Sequence, residues 1–185
     1  MPKLIYASNV SLDGFTEDQQ GRVDWAPPDD AVFGLATDLM RSAGTYLYGR
    51  RMYESMAVWE TEPALAAQSD LTRKFAEVWQ TANRVVYSTT LTEVSTARSR
   101  LERDFDPGAV GNLKASAKSN LLVGGPSLAA RALKAGLVDE CHLIIWPVVL
   151  GGRKPALPTD TRVDLELLDE RRFGNGVVHL HYRCR

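Results

Sequence analysis

The sequence predicts an α/β sandwich: a mostly parallel mixed sheet, helices on both faces, and an antiparallel C-terminal hairpin. Three observations lead there. Short continuous apolar runs alternate with helical periodicity over the first two-thirds of the chain, as strands covered on both faces do. Two strand-to-helix junctions, Gly49-Arg50-Arg51 and Gly124-Gly125-Pro126-Ser127, carry glycine at the corner. Past Cys141 the pattern is strands alone, with Gly174-Asn175-Gly176 between two alternating runs as a hairpin signal. A chain of 185 residues with 44% hydrophobic content fits one domain, 1–185, with a full core.

The elements follow in order. Leu4-Ile5-Tyr6-Ala7 reads as a buried strand. The polar stretch from Asn9 to Pro28 reads as a long loop, of the kind that serves as a lid. Asp29 or Asp30 caps a helix running to about Ser42, with Val32, Leu35, Ala36, Leu39 and Met40 on one face and Gly44 as its stop. Thr45-Tyr46-Leu47-Tyr48 is a strand, followed by a brief helix to Trp59. Leu71 to Thr81 is a helix with Phe75, Val78 and Trp79 as its apolar side, and Arg84 to Ser88 a strand. Residues 96–105 are ambiguous, and 110–117 fit a helix. Leu121-Leu122-Val123 is a buried strand and 127–135 a helix closed by Gly136. Strands then cover 141–149, 163–171 and 177–183.

Bulk properties narrow the function. A net charge of −1 leaves no broad basic surface for nucleic acid. No apolar run approaches the roughly 20 residues that span a bilayer, and the N-terminus lacks a signal-peptide core. Cys141 and Cys184 read as reduced thiols of a cytoplasmic protein, a disulfide between neighbouring strands lacking support. His179 and His181 share one strand face, but no third ligand is near in sequence, so a polar strand face is the reading and no metal is expected.

The candidate site starts at Gly49-Arg50-Arg51. A helix N-terminus offers free N–H groups and a positive dipole end to an anion. Arginines beside that positive end are mismatched unless an anion binds, and their forked donors suit phosphate. Gly124, Gly125, Pro126, Ser127 and Leu128 form a second such corner, where glycine admits a pyrophosphate or simply a tight strand–helix turn. Ser88 and Thr89 end another strand, as phosphate or ribose contacts or as an ordinary Ser/Thr turn. Two phosphate-type corners suggest a ligand with separated phosphates, such as NADP. Asp13, Asp29 and Asp30 flank the early loop, as proton-handling carboxylates or as turn and cap residues. Tyr6, Trp25, Tyr48, Met52 and Trp59 line a flat ring pocket or belong to the core.

Together the motifs resemble the dihydrofolate reductase superfamily, most closely the reductase domain of riboflavin-biosynthesis deaminase–reductases and their stand-alone bacterial relatives. The likeness rests on Ser11-Leu12-Asp13-Gly14, Gly49 to Ser55, Val85 to Thr89, Val123 to Leu128, Gly136 to Glu140, Pro147 to Gly152 and Phe173 to Val178. It implies a dihydrofolate-reductase-like three-layer sandwich and an NADPH-dependent reductase that passes hydride to a C=N or C=O group of a small pterin- or pyrimidine-like substrate. By that likeness Arg50, Arg51 and Ser88 hold the 2′-phosphate side, residues 124–128 the pyrophosphate, and Ala7 and Ser8 approach the nicotinamide. The loop from Asp13 to Trp25 is then the lid. Asp13 and Glu140 lie near substrate, and Trp25-Ala26-Pro27-Pro28-Asp29-Asp30 matches a pattern that makes Asp30 the substrate-anchoring acid. A homodimer is expected. The alternative is a catalytically silent NADP-binding or interaction module of the same fold.

Overall fold

The computed structural model describes residues 1–185. Its main sheet has eight strands: β1 (Leu4–Ser11), β3 (Ala43–Gly49), β4 (Asn83–Tyr87), β5 (Ser99–Glu102), β6 (Asn120–Gly124), β7 (Glu140–Trp146), β9 (Leu165–Arg172) and β10 (Val178–Cys184). A two-stranded ribbon joins β2 (Phe15–Glu17) to β8 (Lys154–Pro155). The helices are α1 (Asp30–Arg41), α2 (Arg50–Thr61), α3 (Pro63–Ala66), α4 (Asp70–Thr81), α5 (Pro107–Ser116) and α6 (Pro126–Lys134). The sheet order is β5-β4-β3-β6-β1-β7-β10-β9, parallel from β5 to β7, with β10 antiparallel to both its neighbours.

The central strands bury both faces, which explains their unbroken apolar runs. Leu47, Val85, Leu121 and Val123 pack with Leu128, Ala129, Ala132 and Leu133 of α6 and Val110 of α5. Tyr46, Tyr48, Val86 and Leu122 face the other way, onto Met40, Tyr53, Ala57, Phe75 and Trp79 of α1, α2 and α4. The alternation along each strand thus builds two cores from one sheet.

Local chemistry fixes the helix ends. Asp29, rather than Asp30, caps α1, its side chain accepting from Val32 N at 2.9 Å. Ser69 and Thr72 form a capping box that starts α4. Pro126 occupies the first turn of α6, where it forfeits no helical hydrogen bond. Gly44 does not stop α1: the helix ends at Arg41 and Gly44 already lies in β3, its missing side chain leaving room for Ser119 Oγ.

Two expectations change. The presumed loop from Asn9 to Pro28 is partly ordered, because β1 runs on to Ser11 alongside Trp146 and β2 pairs with β8. The ambiguous segment 96–105 contains β5, a half-exposed edge strand whose pattern is too weak to read alone. Arg84 also departs from its type. It is 1% exposed, stacks 4.0 Å over Trp79, and donates to Trp79 O, Ala97 O and Ser99 Oγ. Two carbonyls, a hydroxyl and the Glu60 carboxylate at 3.4 Å share its donors, which makes a buried guanidinium tolerable.

Gly152 is a packing glycine: a Cβ there would meet Glu17 O at 2.1 Å and Phe15 Cβ at 2.7 Å. Gly152→Ala should lower stability by about 1–3 kcal/mol, or about 2–12 °C in Tm. Gly34→Ala should do the opposite by about 0.5–1 kcal/mol, since nothing lies within 4 Å of its Cβ position in α1. Thermal melts of both variants check the pair.

Burial, then the neighbouring His181 and His179, push the His142 imidazole down to about 3. A histidine kept neutral in the fold but free to protonate when unfolded stabilises fully above about pH 6.5. That contribution drains as pH falls from there towards 3, because the unfolded chain binds the extra proton. The urea midpoint should drop between pH 7.5 and 5, and less so in His142→Asn.

Candidate functional site

The glycine corners meet because their strands are neighbours. Tyr48 pairs with Gly124 across β3 and β6, so Gly49 and Gly125 turn into their helices side by side. β4 adds the Ser88 corner on one flank, and β1 passes on the other. The carboxyl ends of β4, β3 and β6 form a row about 10 Å long, two inter-strand spacings, with β1 running past it. The backbone is bare at two places: nothing lies within 4 Å of a Cβ on Gly49, and Gly125 (φ +89°) would meet only Met52 Cβ at 3.5 Å. Gly124 differs. A Cβ there would strike the Tyr48 ring at 2.6 Å, so this glycine serves close strand packing first.

The two arginines diverge. Arg50 donates to Glu54 Oε1 at 2.8 Å and Thr90 Oγ1 at 3.0 Å, which places its guanidinium between α2 and the turn after β4. Arg51 turns towards the early loop, pairing with Glu17 Oε1 at 3.0 Å. Ser88 is buried, and its Oγ accepts from Thr90 N and Leu91 N at 3.2 and 2.9 Å, so it braces the turn; Thr89 is exposed. At the second corner Ser127 is exposed while the Leu128 side chain sits in the core. Helix geometry leaves the backbone N–H groups of both free for a ligand. Ala7 and Ser8 lie mid-strand rather than at a strand end, just past the point where β6 stops pairing with β1 at Tyr6.

A polar cavity of about 330 Å³ adjoins this row, lined by Glu17, Gln20, Gly21, Arg51, Arg153 and Lys154. Glu17 is 8% exposed and accepts from both Arg51 and Lys154, the latter at 3.3 Å. Sequence reading missed Glu17, Arg153 and Lys154, because only the β2–β8 pairing brings these distant segments together.

The chain matches the family model for the RibD C-terminal domain over residues 2–179. It is 32% identical over 183 residues to the "Uncharacterized protein YyaP" of Bacillus subtilis (strain 168), covering 97% of this chain and 94% of that one. It belongs to the RibD C-terminal domain family. The fold agrees with two solved structures. The "Putative riboflavin biosynthesis protein" of Shewanella sp. PV-4 aligns with a TM-score of 0.76 at 19% identity, covering 99% of each chain. The diaminohydroxyphosphoribosylaminopyrimidine deaminase/5-amino-6-(5-phosphoribosylamino)uracil reductase of Thermotoga maritima aligns at 0.66 and 13% identity, over all of this chain and 57% of that one. Membrane-spanning helices are absent: none is long and apolar enough.

Within this RibD C-terminal domain, the expected substrate residues do not all converge. Asp13 accepts from Ser11 Oγ at 2.6 Å, Leu150 N at 3.0 Å and Gly151 N at 2.7 Å. The Ser11 hydroxyl and then those amides hold its carboxyl below the usual range, and its hydrogen bonds brace the turn at Leu150 and Gly151. Glu140 is level with Ile5, about 20 Å down β1 from Ser11, and its carboxylate takes Lys3 Nζ and His181 Nε2. Asp13 and Glu140 therefore do not share one substrate. Trp59 packs at a tilt against Phe33 and Phe75, ring centroids 6.2 and 4.6 Å away, on the core of the helix layer. Met52 covers the second corner. Trp25 donates to Thr16 O and packs beside Val32 and Trp146, near the exposed Asp30.

The histidine face also fills in. Glu140, His142 and His181 bring ligand-type atoms within 4.8 Å of one another, partners that spacing along one strand could not reveal. His142 and His181 stack 4.0 Å apart at 16°. Lone pairs in two parallel planes do not converge on one point, so the cluster packs as stacked rings beside Glu140.

The Glu17 carboxylate is the counter-charge for the cavity's cations. Glu17→Gln should tighten inorganic pyrophosphate by up to about tenfold, 1.4 kcal/mol, by freeing Arg51 and Lys154. Isothermal titration against the wild type measures this.

Proposed function

We propose that this RibD C-terminal domain is an NADPH-dependent reductase that transfers hydride to an electron-poor C=N or C=O carbon of a small pyrimidine- or pterin-like heterocycle. The row of three neighbouring corners supports the reading, since β4, β3 and β6 would present phosphate contacts in the order an extended dinucleotide needs, with β1 beside them. The bare backbone at Gly49 and Gly125 fits a phosphate's close approach.

NADPH would supply the hydride. Arg50, with Thr90 and the turn braced by Ser88, would take the 2′-phosphate. The Ser127 and Leu128 amides at the start of α6 would hold the pyrophosphate, with Arg51 at its cavity side. Ala7 and Ser8 would flank the nicotinamide. The substrate ring would lie over the first turn of α1, near Asp30 and Trp25, and Asp30 or a water on it would pass the proton. The loop 18–24 would close over this space from its anchored base at β2.

Arg50→Ala should weaken NADPH about ten- to a hundredfold, a lost charge-assisted contact of about 1.5–3 kcal/mol, while NADH changes less than about threefold. Tryptophan quenching measures both. Equal losses would contradict the assignment, and tight NADPH binding without oxidation across a panel of pyrimidines and pterins would turn it to a silent binding module.

A further inference from the structure

Cys141 and Cys184 lie 43 residues apart in sequence and are both reduced. Cys141 is fully buried in the α5–α6 side of the core, beside Tyr6 of β1. Cys184, the last residue of β10, is half-buried against the same cluster. Tyr182 pairs with Cys141, which puts Cys184 on the diagonal and on the same sheet face. The two sulfurs are 3.4 Å apart. A disulfide bond is about 2.05 Å long, so closing it takes roughly 1.3 Å of approach. Strand ends open more readily than strand centres; Cys184, at the end of β10, donates its N–H to Asp139 O at 2.8 Å and lies opposite Leu165 of β9.

We propose that Cys141 and Cys184 are a reversible redox site, oxidised by small-molecule disulfides to an intrachain bond that ties the end of β10 to β7. The half-buried Cys184 is the entry point. Its contact with Cys141 holds it below the usual thiol range, whereas the same contact and burial push Cys141 up. The Cys184 thiolate attacks one sulfur of the disulfide reagent, forming a mixed disulfide and expelling one thiolate, which takes a proton from solvent. Cys141 then gives up its proton and attacks the Cys184 sulfur, expelling the second thiolate. Two protein thiols and one reagent disulfide become one protein disulfide and two reagent thiols.

The closed loop, 141–184, contains β8 and the segment 147–154, where Leu150, Gly151, Arg153 and Lys154 lie at the candidate site. Cross-linking a loop of this length restricts the unfolded chain.

The test uses oxidised glutathione on the full chain, read by intact mass, thiol titration and melting. The expected product is a monomer two mass units lighter with no titratable thiol, a Tm about 5–15 °C higher, and full reversal by dithiothreitol. Cys141→Ser should stop at a stable glutathione adduct on Cys184, and Cys184→Ser should stay unmodified at the buried Cys141. Two thiols persisting in the folded wild type, a wild-type glutathione adduct that never resolves, or a disulfide-linked dimer would each overturn the proposal.

Discussion

The parallel pairing of β3 with β6 is the constraint on which the rest of this molecule depends. Tyr48 lies opposite Gly124, and its buried ring fills the space that any side chain at 124 would claim. That contact sets how closely the two strands and their helices approach. Because parallel strands all point their carboxyl ends one way, it also sets two helix N-termini next to each other. The free amides and positive dipole ends of α2 and α6 thus face a common edge by topology, before any charged side chain is considered.

Charge then differentiates the edge. Arg50 and Arg51 are adjacent in sequence but serve different neighbourhoods, since successive residues at a helix start project about 100° apart. Arg50 joins α2 to the turn after β4. Arg51 belongs to the cavity with Arg153, Lys154 and the buried Glu17. An acid held among three cations keeps that cavity poised: an incoming anion must compete with a carboxylate that is already in place.

The C-terminal strands have a different role. β10 runs against β7, and β9 closes the edge with an alternating, half-exposed pattern. On one face this hairpin buries the stacked histidines beside Glu140, and on the other it brings Cys184 to Cys141. Both groupings are made by cross-strand register, and each links β10 to the strand next to β1. The hairpin is thereby joined to the strand that neighbours β1.

The amino-acid sequence by itself determined the class of fold, the order of nearly every strand and helix, and the two glycine corners. Each of these is written in local terms: apolar runs for doubly covered strands, a cap at Asp29, glycine and proline at 125 and 126, Gly174-Asn175-Gly176 for the hairpin. Tertiary structure alone decided which corners adjoin, that Asp13 braces Leu150 and Gly151, that Trp59 packs in the helix layer, and that Glu17 meets Lys154. It also ordered β2, β5 and β8, strands too short or too exposed to declare themselves. The physical reason is the range of the forces. Caps, turns and periodicity act within a few residues, whereas cross-strand register joins segments more than a hundred residues apart and leaves no periodic trace in either one.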